Sequence, residues 1–116
     1  MPKYAALIYR VEAEWPQQGS PASRQLNQAW GAFNRDMAEA GVLTSGTGLQ
    51  PTATATSVRV REGKTLITDG PFAETREQLG GVLVSDCKDL DDAIVWASKV
   101  PDAQRGTIEL RPLWDG

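Results

Sequence analysis

The run Asp69–Gly81 constrains this chain most, because it concentrates chain-breaking residues and carboxylates in one short segment. Gly70 can adopt backbone angles that are closed to other residues, and Pro71 fixes φ and lacks an N–H donor. The sequence therefore predicts a sharp turn here, with a geometry that is set locally. Gly80 and Gly81 at the end of the run predict a close approach of the backbone at the start of a strand.

Length and composition predict a single soluble domain over residues 1–116. The hydrophobic fraction is 41% and the charged fraction is 23%, as in ordinary globular proteins. The formal charge is −3, and the basic residues are scattered singly along the chain. Nucleic acids and acidic membrane surfaces are bound by concentrated positive charge. We therefore expect neither as a partner.

The sequence also bears on where the protein works. No stretch of it approaches the length of a transmembrane helix. The apolar run that ends at Tyr9 is too short for a secretory signal, since Arg10 and Glu12 follow it. The single cysteine, Cys87, has no partner within the chain for a disulfide bond. These features predict a cytoplasmic protein.

The chain contains no histidine, and this limits its chemistry. Histidine titrates nearest neutral pH and is the commonest metal ligand. Ser-His-Asp triads and His-based metal sites are therefore excluded, and any acid or base must be a carboxylate, a tyrosine or a lysine. A metal site of Asp and Glu alone would need a dense acidic ladder, which the sequence lacks. We expect no cofactor and no metal.

Hydrophobic periodicity and breaker residues predict an α+β fold. The order is strand, helix, strand, an inserted hairpin, strand, helix, strand. A ferredoxin-like split βαβ arrangement satisfies this order, with an antiparallel sheet and both helices on one of its faces. The predicted elements are a strand at Tyr4–Tyr9, a helix from Ser20 to Gly41, a strand from Val42 to Gly48, a hairpin of Ser57–Arg61 and Thr65–Thr68, a strand at Gly81–Ser85, a helix from Asp89 to Val100 and a strand at Gly106–Pro112.

The first predicted helix carries an apolar stripe at spacings of four, three and four. Its members are Leu26, Trp30, Phe33 and Met37. Trp30 and Phe33 could stack on a ligand, or the whole stripe could cover a sheet. A periodic apolar stripe usually faces the core, so we favour the second interpretation.

The inserted hairpin has two different faces, because its first strand alternates with period two. Val58 and Val60 share one face, and Arg59 and Arg61 share the other, which we expect to be solvated. Gly63 supplies the positive φ that the tight turn needs.

A sheet with both helices on one side leaves its second face uncovered. Four apolar side chains remain to be accommodated, namely Val58, Leu66, Leu83 and Trp114. Packing two sheets face to face in a homodimer would cover such a face without another layer of structure.

The run Asp69–Gly81 resembles the signature of the DGPF group within the YCII-related family. The resemblance extends through Gly48–Pro51, Val58–Val60 and Glu109–Pro112, so it covers most of the chain. It implies a ferredoxin-like fold and a dimeric α+β barrel. In the broader family a His–Asp pair has been proposed as catalytic, but it cannot be carried over to a chain without histidine. Only Asp69 matches a functional position of the DGPF group.

The signature segment is the predicted site. Asp69 ends a strand, so we expect it to act as a general base or ligand anchor, with Glu74 as its catalytic partner. Two carboxylates held close favour one protonated and one ionised group, which would provide an acid and a base together. Phe72 would exclude water. The candidate substrate-binding residues are Tyr9, Phe72, Gln78 and Arg111.

A structural interpretation of the same residues stays open. Asp69 can satisfy the amides of its own turn, as Asx residues before glycine often do. Glu74 and Gln78 would then lie on the solvated face of a short helix.

Two functions remain as hypotheses. The first is a cofactor-free small-molecule enzyme that uses carboxylates for proton transfer or hydrolysis in a pocket at a dimer interface. The second is a non-enzymatic module that binds a ligand or a protein. For this second function the resemblance implies a regulatory context linked to sigma factors, because some relatives are fused to them or encoded near them.

Overall fold

A computed structural model describes residues 2–114 of the protein, and it has the predicted α+β architecture. Two helices and six strands are joined by short connections, three of which contain a 3₁₀ turn. The elements are β1 (Lys3–Arg10), α1 (Pro21–Glu39), β2 (Leu43–Gly48), β3 (Thr56–Arg61), β4 (Lys64–Asp69), β5 (Gln78–Asp86), α2 (Leu90–Ser98) and β6 (Thr107–Pro112), with 3₁₀ turns at Glu12–Glu14, Thr52–Thr54 and Pro101–Gln104.

Four strands form the main sheet in the order β2-β5-β1-β6, and every neighbouring pair is antiparallel. This order is the one expected of a ferredoxin-like fold, so the predicted fold class is confirmed. The hairpin β3–β4 is inserted between β2 and β5 and forms a separate two-stranded sheet.

Local sequence signals define both helices. Ser20 Oγ accepts a hydrogen bond from the backbone N–H of Ser23 at 3.1 Å, and Gly41 follows α1 with a φ of +72°. The carboxylate of Asp89 likewise accepts from the N–H of Asp92 at 2.8 Å. These contacts satisfy amides that the first turn of a helix leaves without partners. The predicted helix starts are therefore confirmed.

The core lies between the helices and the inner face of the sheet. Tyr4, Ala6 and Ile8 alternate along β1 and are buried. Phe33 and Met37 of α1 pack in the same cluster as Ala6 and Ile8, whereas Tyr4 packs in a second cluster with Cys87 and Ala93. The prediction that the α1 stripe covers a sheet is confirmed for Phe33 and Met37. Leu83 is also buried on the inner face, so its assignment to the uncovered face was wrong. The reason is its place in β5, since it pairs with Ala6 of the inward-facing set.

The outer face of the sheet has an apolar centre. Ala5 pairs with Val84, and Leu7 pairs with Val82, so all four side chains point to the face opposite the helices. In the described part of the chain, no helix packs over them. Trp114, just beyond β6, is 99% exposed.

The hairpin projects from the body of the molecule. The radius of gyration is 16.1 Å, against roughly 13 Å for a compact chain of this length. The thickness is 19 Å, which suits one sheet with one layer of helices. Glu62 and Gly63 form the turn with φ of +52° and +75°, as a two-residue turn of the primed type requires. The predicted hairpin is therefore confirmed.

Within residues 2–114, no helix combines the length and the hydropathy needed to cross a membrane.

Candidate functional site

A cavity of about 380 Å³ lies between α1 and the inner face of β1, β2 and β5. This volume falls within the range typical of small-molecule sites. Its walls combine large apolar side chains with glycine backbone and a few polar groups. The lining residues are Ile8, Arg10, Trp30, Asn34, Leu43, Gly46, Thr47, Gly48, Leu49, Gly80, Gly81, Leu83 and Asp102.

An ion pair forms part of the cavity wall. Arg10 Nη1 donates to Asp102 Oδ2 at 3.2 Å, and the Asp102 side chain has no exposed surface. The other carboxylate oxygen, Oδ1, accepts from Trp30 Nε1 at 3.0 Å. A buried carboxylate needs such partners, because an isolated charge in a protein interior is strongly unfavourable.

A β-bulge makes room for Arg10. The register of β1 and β5 shifts between Ile8, which pairs with Gly81, and Tyr9, which pairs with Leu79. Gly80 is the extra residue. A Cβ atom at this position would lie 2.7 Å from Arg10 Nε and 2.8 Å from Cζ. The missing side chain therefore lets the guanidinium lie against the backbone of β5, and bulges commonly re-aim side chains at functional sites.

The guanidinium of Arg10 keeps unused hydrogen-bonding capacity. Trp15 covers it, with Cζ at 3.7 Å from the centroid of the ring, and this cation–π contact holds it in place. Nε is buried without a hydrogen-bond partner. Among residues 2–114, Nη2 also makes no hydrogen bond, and Arg10 retains 20% side-chain exposure. The cavity therefore offers a fixed cation with a free donor.

Asp102 reaches the cavity from the far end of the sequence. It lies in the 3₁₀ turn Pro101–Gln104, which begins just after α2, and it is 92 positions away from Arg10. Gly106 follows the turn, and a Cβ atom there would collide with the carbonyl oxygen of Tyr9. The absence of this side chain lets the turn pack against the end of β1, where Arg10 lies.

This arrangement can bind and orient a small polar group. Arg10 can donate to an oxygen of a ligand, and the apolar walls can enclose the rest of the molecule. Asp102 adds negative charge next to that oxygen. Among the residues that the structure describes, no three His, Cys, Asp or Glu side chains form a group that could hold a metal ion.

The carboxylates Asp69 and Glu74 of the predicted site, which form an acidic rim, lie outside the cavity. Asp69, Glu74 and Phe72 are all exposed, and Phe72 is 79% exposed. Within the described ranges, no hydrogen bond reaches the carboxylates of Asp69 or Glu74. Gly70 has a φ of +100°, and its N–H donates to the carbonyl of Ala55 rather than to Asp69. The turn is thus as sharp as predicted.

The other predicted substrate-binding residues also lie away from the cavity. Tyr9 and Arg111 point to the outer face of the sheet, and Arg111 Nε donates to Glu109 Oε2 at 2.7 Å. Gln78 belongs to β5 rather than to a short helix. Its side chain accepts from the N–H of Glu12 at 2.9 Å and donates to the carbonyl of Thr75 at 2.6 Å. Their roles in binding remain predictions.

Sequence reasoning missed the residues that form the cavity. One signal was present for Arg10, since period two places it on the same face as Ile8, and a charge on a buried face requires a partner. No local pattern pointed to Asp102. Gly80 and Gly81 were correctly predicted to allow a close approach, because a Cβ atom on Gly81 would lie 3.1 Å from the carbonyl oxygen of Thr47.

Comparison with known proteins places the chain in a family. The model of the YCII-related domain matches residues 2–115. An uncharacterised protein of Rhizobium meliloti (strain 1021) is 37% identical over 112 residues, which cover 95% of this chain and 90% of that protein. The chain belongs to the YCII-related domain family.

Proposed function

We propose that this protein binds a small, largely apolar molecule that carries a carbonyl or carboxylate oxygen, with Arg10 as the anchor of that oxygen. The observation that carries the proposal is the Arg10–Asp102 ion pair in the wall of the cavity. Such a pair contributes little to stability compared with apolar packing. Its presence beside a cavity is therefore better explained by recognition.

The composition of the walls supports this class of ligand. Ile8, Trp30, Leu43, Leu49 and Leu83 supply apolar surface. Polar groups are few, and the Arg10 guanidinium is the one cation among the lining residues. Sites of this kind typically obtain affinity from the apolar walls and orientation from one or two polar groups.

A matched panel of ligands tests the proposal. Monocarboxylates of increasing size, their neutral primary amides and the corresponding primary alkylamines, which lack an oxygen acceptor, are compared by thermal shift and by NMR titration. We expect binding to strengthen with apolar size and to depend on an oxygen acceptor. The double variant Arg10→Met/Asp102→Leu, which removes the cation together with its buried partner, should abolish it, whereas Arg111→Met, which removes a cation from the outer face, should leave it unchanged. Equal binding to both variants would contradict the proposal.

Cofactor-free acid–base chemistry by Asp102 is a second candidate. The observation that favours it is the contact between the Asp102 carboxylate and the Arg10 guanidinium, because that guanidinium would polarise a bound carbonyl group. Both oxygens of Asp102 already accept hydrogen bonds, which favours binding without turnover. Asp102→Asn distinguishes the two functions, since it should abolish any proton exchange of a bound ketone and yet leave the binding measurable by NMR.

The acidic rim is a separate proposal for the seat of chemistry. Asp69 and Glu74 would need a second copy of the chain to enclose them, as in the predicted homodimer. Asp69→Asn separates the two locations. A loss of turnover in this variant, with turnover retained in Asp102→Asn, would favour the rim. A protein-binding role in a sigma-factor-linked context rests on the family resemblance alone.

A further inference from the structure

A second cavity, of about 570 Å³, lies between α1, the connection that follows β1 and the 3₁₀ turn that follows α2. We call it the α1 groove. Asp102 is the one described residue that lines both this groove and the cavity at Arg10. The groove is therefore a separate space, and what it binds does not depend on the function proposed for Arg10.

The floor of the α1 groove is apolar. Phe33 is buried, and Leu26 and Trp15 are half-buried. Ala29 lies on the same face of α1, and its small side chain leaves the space open. Trp15 is held in place by Arg10, whose Cζ lies 3.7 Å from the centroid of the ring. These side chains form a preformed surface for the apolar body of a ligand.

Two cations stand at the rim of the groove. Lys99 directly follows α2 and Arg105 directly follows the 3₁₀ turn, and both are exposed. Among residues 2–114, neither side chain forms an ion pair. Lys99 Nζ lies 4.8 Å from the centroid of the Trp96 ring, a contact that restrains the ammonium group without using its N–H donors.

The backbone holds both cations at fixed positions. The N–H groups of Arg105 and Gly106 donate to the carbonyl of Asp102 at 3.2 Å and 2.8 Å, and the N–H of Lys99 donates to the carbonyl of Trp96 at 3.0 Å. A ligand that contacts both side chains therefore does not have to order the segment that carries them. Such preorganisation favours affinity.

The charge of the groove is opposite to that of the chain. Two carboxylates line it, but Asp102 is already paired with Arg10. Among the described lining residues, Asp36 is then the one acidic group that faces Lys99 and Arg105. The groove is thus locally positive on a chain whose formal charge is −3. A cleft of one charge attracts ligands of the other.

We propose that the α1 groove is a binding site for an organic phosphate with an aromatic or other apolar body. A phosphate monoester carries about −1.5 to −2 charges at neutral pH, which matches two cations, whereas a monocarboxylate would neutralise one. Arg105 offers a planar fork of donors and Lys99 a compact point charge, and both types of group bind phosphate. The hydrated phosphate stays at the exposed rim, and the body of the ligand packs against Trp15 and Leu26.

A panel of ligands with one common ring tests the class of ligand. The probe is 2-naphthyl phosphate, and the references are 2-naphthol, 2-naphthoate and inorganic phosphate, each titrated into the full chain and followed by NMR. We expect the probe to bind at least about tenfold more tightly than every reference, with shifts at the Trp15 indole and in residues 99–105. No binding of the probe, equal affinity for any reference, or shifts centred on residues 46–49 of the other cavity would overturn the proposal.

Two lysines at opposite ends of α2 provide a matched test of the rim. Lys99→Met and Lys88→Met each remove one exposed ammonium group, but Lys88 does not line the groove. Lys99→Met and Arg105→Met should each weaken binding of 2-naphthyl phosphate by about tenfold, and Lys88→Met should change it little. Equal effects of the two lysine variants would show a general effect of charge and would overturn the proposal.

The floor is tested by filling it. Ala29→Trp places a large side chain in the groove, and Ala38→Trp places the same side chain elsewhere on α1, where Ala38 is exposed and outside the groove. Circular dichroism checks that both variants remain folded. Ala29→Trp should abolish binding of 2-naphthyl phosphate, and Ala38→Trp should leave it unchanged. Full binding by a folded Ala29→Trp variant would place the ligand elsewhere and overturn the proposal.

Discussion

Arg10 Nη1 lies 3.2 Å from Asp102 Oδ2 in the wall of the cavity, and the carboxylate of Asp102 has no contact with solvent. The fold therefore keeps a charge away from water at a position where an apolar residue would pack more simply. This ion pair gives the sharpest predictions about the site.

Replacing Arg10 alone should destabilise the protein strongly. Arg10→Met leaves the Asp102 carboxylate buried without its cation, and breaking a buried pair in this way costs about 3–5 kcal/mol. In the double variant Arg10→Met/Asp102→Leu both charges are gone, so much of the lost stability should return. Urea denaturation of the single and double variants measures both effects. A double variant no more stable than Arg10→Met would show that the pair is not what the single change disrupts.

Gly80→Ala should disturb the site through the guanidinium. The new Cβ atom would lie 2.7 Å from Arg10 Nε, so we expect Arg10 to move and stability to fall by about 1–3 kcal/mol, as for other overpacked sites. Gly48→Ala is the matched control, because it also lines the cavity but its Cβ atom would meet nothing within 4 Å. Thermal unfolding and the NMR signal of Arg10 Nε–H report the two effects. Equal losses in the two variants would contradict this explanation.

Glu12 should secure the base of the hairpin. Its carboxylate accepts from both the N–H and the hydroxyl of Thr52, each at 2.8 Å. Glu12→Ala leaves these donors without their partner, which costs about 1–3 kcal/mol. Hydrogen exchange should become faster in residues 50–56. Glu14→Ala serves as the control, since Glu14 is exposed in the same 3₁₀ turn. The assignment fails if both variants exchange alike.

Asp89→Ala should weaken α2 at its start. Its side chain accepts from the N–H of Asp92, and loss of such a cap typically costs about 1 kcal/mol. Asp91→Ala removes a carboxylate from the same first turn without removing the cap, so it should change stability by only a few tenths of a kcal/mol. Chemical denaturation compares the two. A larger loss for Asp91→Ala would show that charge, rather than capping, governs this end.

Local signals in the sequence predicted the elements well. Period two indicated the strands, Ser20 and Asp89 marked the helix starts, and Gly63 marked the hairpin turn. These features depend on neighbours in sequence, so a short window contains the physical cause of each one. The ferredoxin-like arrangement was also predicted, because few topologies accommodate this order of elements.

The cavity could not be predicted in the same way. Asp102 lies just after Val100, the predicted end of the second helix, and nothing in that segment shows that its side chain will meet Arg10. The contact depends on the bulge at Gly80 and on the close approach at Gly106, which are properties of the assembled sheet. A site was predicted at Asp69 because the carboxylates and the turn residues there are neighbours in sequence, although the structure places them on the surface.

The long separation between Arg10 and Asp102 has a consequence for how the protein responds to what it binds. The cavity can form only when the first strand, the second helix and the turn after it have all assembled. A fragment that ends before that turn therefore lacks the site. A bound molecule therefore stabilises the entire fold rather than one region. Its presence should slow hydrogen exchange even in amides that open only when the whole chain unfolds.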